Sequence, residues 1–499
     1  MKHLKKIILL FLCLHLFLLN FLFVFRYSPQ EALEKEKTWG KAELHESPMH
    51  YLKLYFSSRS DESYYYEWST LVLGKNLESD YPLASLQQEA EKNEIQKYFS
   101  QNPSVIAVEA KDQSHHQKLF PLFREPPHFR MPYRDISFEY PPLLILPILT
   151  ARLLSHDYAS FTRALALLVS LAYFASLYVV YQIWQRFPQE NRLSWPTLLF
   201  FSGFSIGSLG QIYVTRLDVF PSLLYLLALY SFIKEKYATS ALWMALGTLT
   251  KVYPILLAPL FALVLIQQKK YKELITSIAW GLSLLVMINL GLGWLTEGHY
   301  WESIRFHTNR GIQIESLYAS IPLLTHWIFH APLQIYSDHN SLNINSSWVP
   351  FLLKISTLLP ILLFTFIYGT FWRVLKSDPA KKKDAVLLVQ SAFLLVFAFL
   401  LTFKVFSPQF LIWLTPLIFL AVPQKKKLFL GCFVLILILT QIIYPSFYFL
   451  IGMAHPLGIS MLLIRNSGLI VLFIWLINST CLPCWQGSGL LKPKVIHEF

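Results

Sequence analysis

The residues of this chain able to do chemistry fall into six short groups, each beside an apolar run. They are "SDESYYYEW" at 60–68, "MPYRDISFEYPP" at 131–142, "YVTRLDVFPS" at 213–222, "TLTKVYPIL" at 248–256, "RFHTNRGIQIESLYAS" at 305–320 and "TFKVFSPQFLIWLTP" at 402–416. A carboxylate can take a proton from a hydroxyl group. Cations hold phosphate through charge-assisted hydrogen bonds. Tyrosine and tryptophan suit sugars and the headgroup region of a membrane. A lipid-linked phosphosugar would use all three. No glycine-rich phosphate loop of the P-loop kind is present, which excludes nucleotide hydrolysis by that route.

What must position these groups is a membrane. Only 15% of the 499 residues are charged and 54% are hydrophobic, against about 25% charged in soluble domains. Several apolar runs exceed the roughly 18 residues that cross a bilayer. The net charge of +13 comes largely from lysines in short loops, as the positive-inside rule requires, so it does not imply nucleic acid. The lone pair Cys481 and Cys484 falls short of the four ligands of a structural metal site. Neither a metal nor another cofactor is expected.

The basic loops set a topology. "MKHLKK" at the start, 185–192, 234–236, 267–273, 376–384, 423–427 and the tail all face the cytoplasm if spans lie near 6–26, 162–184, 196–213, 217–233, 238–250, 252–267, 274–294, 349–372, 385–403, 408–422, 428–447 and 459–477. The N-terminal run is too long for a signal peptide's apolar core and lacks a small-x-small site, so it reads as the first span. The fold class is therefore an all-α polytopic membrane protein of about twelve transmembrane helices plus outer juxtamembrane helices. The organisation is a first span with cytoplasmic N-terminus at 1–26 and a large outer loop at 27–160. Spans two to seven follow at 161–294, a second outer loop at 295–348, spans eight to twelve at 349–480, and a cytoplasmic tail at 481–499. This parity requires that 140–155 and 316–331, both short and interrupted by proline, lie along or re-enter the outer face without crossing.

All six chemical groups then meet at the outer face. Arg216 and Lys251 could be snorkelling cations, and Glu139 could cap the helix starting at Pro141. Snorkelling does not, however, explain why six groups choose one face. A secondary transporter or a flippase for an envelope precursor would also have about twelve spans, but would carry its ionisable residues near the midplane and show related halves. A non-catalytic assembly protein built on the 27–139 loop would not depend on the embedded charges.

The groups also carry a resemblance. The chain resembles the GT-C class of multi-spanning glycosyltransferases, and most closely the family 87 enzymes that use polyprenol-phosphate-mannose. The shared pattern is an acid before tyrosines, a tryptophan and a glycine (Asp61, Tyr64 to Tyr66, Trp68, Gly74), then Pro132 through Leu143, with Ile136 where the family has phenylalanine. It continues with R-x-D (Arg216, Asp218), K-x-Y-P (Lys251, Tyr253, Pro254), His307 through Ser316, and Ser407 through Trp413. It covers roughly residues 5–480. Residues 75–130 are an insertion relative to compact relatives and include "LASLQQEAEKNEIQKYF", which reads as an amphipathic helix.

The resemblance implies a GT-C-type helical bundle that moves a sugar, mannose, with inversion from a polyprenyl-phosphate donor to a lipid- or glycan-linked acceptor. It implies an integral protein of the plasma (inner) membrane with its active site on the outer face. Asp61 is then the base and His307 a second catalytic group. Lys251, Arg310 and Arg216 hold the donor phosphate. Asp135, Glu139, Tyr140, Asp218, Glu315 and Gln409 line the site rim and acceptor side. Asp135 follows Arg134 and is expected to pair with it, which would lower its basicity.

Reporter fusions test the parity argument. Fusions after Leu154 and within 295–348 should report the outer side, and one within 376–384 the cytoplasm. A cytoplasmic signal after Leu154 would overturn the non-crossing assignment of 140–155.

Overall fold

The computed structural model describes residues 61–76, 109–110, 122, 126–339, 341–378, 383–421 and 425–487. The expected first span at 6–26 and the expected amphipathic helix at 83–99 lie outside these residues. So do the side chains of Asp61, Cys481 and Cys484.

Helix α1 (Asp61–Val72) is followed by α2 (Ile145–Leu153), which is entered through a 3-10 turn at Pro142–Leu144. Then come α3 (Tyr158–Trp184), α4 (Trp195–Leu209), the short α5 (Gln211–Thr215), α6 (Val219–Ile233) and α7 (Tyr237–Thr248). A proline turn at Tyr253–Leu256 leads into α8 (Leu257–Gln267), followed by α9 (Tyr271–Leu295), α10 (Tyr300–Thr308) and α11 (Ser320–Phe329). The last third holds α12 (Val349–Ser377), α13 (Ala385–Thr402), α14 (Leu411–Ile418), α15 (Lys426–Gln441), α16 (Tyr448–Gly452) and α17 (Pro456–Gly487). Each of the expected spans from 162 onward overlaps a helix, but 196–213 is broken at Gly210 and 408–422 holds only the eight-residue α14.

Local chemistry explains the starts. The Asp157 carboxylate accepts from Ser160 N at 2.6 Å and the Ser160 hydroxyl receives the Asp157 N–H, a capping box that opens α3. Asp384 accepts from Val386 N and Leu387 N at the start of α13. Among the described residues, six helices are long and apolar enough to cross a membrane: α3, α9, α12, α13, α15 with its extension to Tyr444, and α17 up to Ser479. This is a multi-pass membrane protein. The apolar stretches Pro142–Leu153 and Ser320–Phe329 are only about 18 Å and about 15 Å long at 1.5 Å per residue. A hydrocarbon core of about 30 Å is too thick for either.

α13 is the hub, buried along nearly all its length. α9 is the opposite case. Its only buried residue is Gly281, which lets it approach Ala241 of α7 (a Cβ there would sit 3.4 Å from the alanine's own), while Trp280, Met287 and Leu290 point outward. A helix this apolar and this exposed suits lipid contact.

A separate aromatic core fixes α1. Tyr65, Tyr66 and Trp68 are almost fully buried, with Trp68 packed on Phe138 (4.3 Å between ring centres) and Tyr66 on Phe161 (5.4 Å). These rings hold α1 against α2, α3 and the 131–140 segment, so they serve packing before any sugar contact.

Within the all-α fold, the stretch between α10 and α12 carries three of the four described strands. A small sheet forms in the order β1 (Glu109–Ala110), β3 (Gln334–Asp338), β4 (Ser341–Asn345), β2 (Ile312–Gln313). β3 and β4 are an antiparallel hairpin pairing Asp338 with Ser341, β2 adds antiparallel to β4, and β1 adds parallel to β3. Ile335, Leu342 and Ile344 bury one face of it. Alternating apolar residues around "SDHNS" carry that signal, because His and Asn between two strands tolerate the positive φ of a tight hairpin. His339 has φ 50°.

Gly74 ends α1 with φ 59°, and a Cβ there would lie 2.6 Å from the backbone carbon of His128. Gly74→Ala combines left-handed strain with a backbone clash. It should cost on the order of 1–3 kcal/mol, read as a lower thermal midpoint in detergent. A midpoint equal to the parent's would show that the 128–130 segment moves freely away from α1.

Candidate active site

Three of the sequence groups meet at one ion pair. Asp218 stands at the start of α6, but its carboxylate does not cap that helix. It lies 3.1 Å from Lys251 Nζ and accepts a hydrogen bond from Trp413 Nε1 at 2.7 Å. Lys251 sits in the break between α7 and the proline turn, over the rings of Phe410 (5.1 Å) and Trp413 (5.6 Å). Tyr253 stacks on Trp413 at 4.7 Å. Gln409 lies half-buried in the 3-10 turn Pro408–Phe410 that leads into α14. Asp218 is almost fully buried and Lys251 keeps a narrow opening. Neither charge would survive there alone, since unpaired ions are costly to bury.

The Glu139–Pro141 segment forms a wall beside this pair. Leu143 N donates to Leu249 O at 3.2 Å, which pins the start of the 3-10 turn to the end of α7. His307, near the end of α10, makes a 2.8 Å hydrogen bond from Nε2 to the backbone oxygen of Glu139. A carbonyl only accepts, so Nε2 carries the proton. Burial and the nearby positive charges of Arg310 and Lys251 lower the pKa of His307 below its ordinary value. At neutral pH the ring is then neutral, and Nδ1 is a bare acceptor. It can receive a hydrogen bond or a proton, and can donate to phosphate only after taking one up.

Glu139 does not cap the helix, the plainer of the two roles that its place in the sequence allowed. The 3-10 turn begins at Pro141 without any side-chain cap. The Glu139 carboxyl instead lies within electrostatic reach of Arg310, as do Tyr140, Asp338 and Tyr448. The Nε of Arg310 is buried and has no hydrogen-bond partner among the described residues. Asp135 is committed as expected: Arg134 Nε is 2.8 Å from one of its oxygens and Met131 N donates to the other at 2.7 Å. The Arg134 guanidinium holds the Asp135 carboxyl below its usual range. Asp61 is the first residue of α1, one turn ahead of Tyr64 and Tyr65. The Tyr65 ring meets Tyr140 edge-on at 5.6 Å, so α1 leads up to the same wall.

Behind Arg310 lies a polar cluster that the sequence only half revealed. Glu315, expected at the rim, is 1% exposed. Arg465 of α17 donates to the Glu315 backbone oxygen at 2.6 Å, reaches its carboxylate at 3.9 Å, and lies over Phe406 at 4.4 Å. Asn466 donates to Ser320 Oγ at 2.8 Å. Tyr448 hydrogen-bonds Glu315, Tyr448 packs on Tyr444 at 5.2 Å, and the Tyr444 hydroxyl receives Arg216 at 3.3 Å. Arg216 is thereby linked to Glu315 across the bundle. The signal for Arg465 was visible as one charge inside an otherwise apolar run.

The chain does contain a G-x-S-x-G string, Gly203 to Gly207, but it lies within α4, and Ser205 Oγ donates to Phe201 O at 2.7 Å. It is a helix interior and not a strand-to-helix elbow, so it offers no activated nucleophile.

The sequence matches glycosyltransferase family 87 over residues 138–402. The chain belongs to glycosyltransferase family 87. No curated protein and no solved structure matches it. The matched region begins one residue before Glu139 and includes Arg216, Asp218, Lys251, His307, Arg310 and Glu315. α1, Gln409 to Trp413 and Arg465 fall outside it, and the fold alone brings them to the same place. The protein is a membrane glycosyltransferase.

Glu315 supplies a pH test. Burial raises its carboxyl from 4.5 to about 7, against the opposing pull of Arg465 and Tyr448. The folded protein thus keeps a proton that the unfolded chain releases near pH 4.5. That contribution to stability is complete below this range and is lost as pH rises to about 7. Relative to the parent, Glu315→Gln should therefore gain thermal stability between about pH 5 and about pH 8, by on the order of a few degrees. A difference in midpoint that stays constant over this interval would exclude a neutral buried Glu315.

Proposed function

We propose that this family 87 enzyme transfers mannose, with inversion, from a polyprenyl-phosphate donor to a lipid- or glycan-linked acceptor at the outer face of the plasma (inner) membrane. The observation that carries the reading is Arg310, whose buried Nε lacks a hydrogen-bond partner among the described residues. Its charge acts on His307 together with that of Lys251, in a chain built of membrane helices. A phosphate attached to a lipid tail can reach such a point from within the bilayer, and it supplies the missing partner.

In this reading the acceptor hydroxyl oxygen attacks the anomeric carbon. The bond from that carbon to the phosphate oxygen breaks, and the acceptor proton passes to a carboxylate. Asp61 takes the proton. Arg310, with Lys251 and Arg216 around it, holds the phosphate as it gains charge. The bare Nδ1 of His307 orients a hydroxyl of donor or acceptor. Tyr140, Asp135 and Gln409 stand on the acceptor side, Asp218 keeps Lys251 in place, and Glu315 supports the cluster from beneath. Family membership leaves no ground for the transporter reading.

The test is transfer by the purified protein from polyprenyl-phosphate-mannose. Asp61→Asn should lower turnover by about 10²–10⁴-fold with donor binding intact, and Arg310→Ala should weaken donor binding. A rate close to the parent's in Asp61→Asn, together with a Glu139→Gln variant that binds donor and does not turn over, would transfer the base role to Glu139.

A further inference from the structure

Lys251 has its counter-ion in Asp218, at 3.1 Å. Arg310 and Lys404 have none: among the described residues neither forms an ion pair. Lys404 lies just beyond α13, where its backbone oxygen accepts from Gln313 N at 3.0 Å. Its ammonium donates to the backbone oxygen of Thr308, also at 3.0 Å. Thr308 is the last residue of α10, with His307 on one side and Arg310 two residues on. Burial and the Arg310 charge together lower the pKa of Lys404. Glu139 and Asp338 lie within reach of Arg310's field, but neither closes on it as an ion pair.

A second cation in the field of Arg310 is repelled by it, and this costs stability unless something negative joins them. Capping of α10 accounts for one of the three N–H groups of Lys404, since lysine near a helix C-terminus is favourable. It gives no reason for the bare Nε of Arg310 beside it.

We propose that Arg310 and Lys404 together form a two-cation clamp for the phosphate of a lipid-linked phosphate ester, with Lys251 and Arg216 contributing field rather than contact. The clamp rests on the donor reading given above. In that reaction the donor phosphate is a diester with one negative charge, and the released polyprenyl phosphate is a monoester that reaches two. The charge appears as the bond to the anomeric carbon breaks, while the acceptor proton leaves to the carboxylate base. Two fixed cations hold the dianion better than the starting monoanion, so the clamp favours the transition state and the product over the bound donor.

Binding of farnesyl phosphate and of inorganic phosphate is measured by calorimetry on the full chain in detergent, for the parent, Lys404→Gln and Lys404→Arg, each with its thermal midpoint. The clamp expects farnesyl phosphate to bind the parent, Lys404→Gln to bind it about 10-fold or more weakly, and Lys404→Arg to recover most of the loss. Transfer assays should show kcat falling in Lys404→Gln. A folded Lys404→Gln that binds farnesyl phosphate as the parent does, with only its midpoint lowered, makes Lys404 a helix cap and ends the proposal. Inorganic phosphate binding as tightly as farnesyl phosphate, with the same Lys404 dependence, replaces the lipid ester by free phosphate and also overturns it. A parent that neither binds farnesyl phosphate nor uses the polyprenyl-phosphate donor sinks the donor reading itself, an outcome distinct from failure of the clamp alone.

Discussion

The ion pair between Lys251 and Asp218 is the constraint on which the site depends. Both charges lie where apolar helices end within the bundle, and each is tolerable only in the presence of the other. Asp218 also takes the indole proton of Trp413. One carboxylate thereby ties together the start of α6, the break after α7 and the start of α14. Those segments are far apart in sequence, and their relative positions leave little freedom once this contact forms. Replacing either partner strands the other, and a buried stranded charge is far more costly than the pair is favourable.

Around this fixed point the charges divide into those already satisfied and those that are not. Asp135 is held by Arg134, Lys251 by Asp218, and Arg216 by the Tyr444 hydroxyl. Arg310 has no such partner for its buried Nε among the described residues, and the segment bearing it is fastened from two sides: His307 to the Glu139 backbone and Thr308 to Lys404. An open guanidinium N–H on a well-fastened segment is a preorganised donor.

Much of this was legible in the sequence, for a physical reason. A span must be long and apolar, so the membrane helices from residue 158 onward stood out. A charge at the end of such a span needs a purpose, so Arg216, Lys251, His307 and Arg310 did too. What could not be read was pairing between residues far apart in sequence. Nothing in "RLD" says that its aspartate turns to a lysine 33 residues on rather than capping its own helix. The alternative reading of Glu139 as a cap failed, because the rule for acids before helices ignores a cation cluster across the fold. The four-stranded sheet escaped notice because its strands are short and lie in a loop already assigned a role. Glu315 was placed at the rim because its partner, Arg465, is 150 residues away and only the packing of α17 joins them.

The short helices set a depth. α7 has 12 residues and so rises about 18 Å, while a bilayer's hydrocarbon is about 30 Å thick. If the basic turn before α7 rests at one interface, Lys251 stops roughly 12 Å short of the other. A headgroup that meets it must sink below its neighbours and shed its water, so the enzyme has to offer it a polar shaft rather than a surface dish. Only a molecule whose tail already lies in the oil can make that descent cheaply. On the donor reading proposed above, the length of one helix acts as a filter on substrates, sorting those tethered to the membrane from those dissolved beside it.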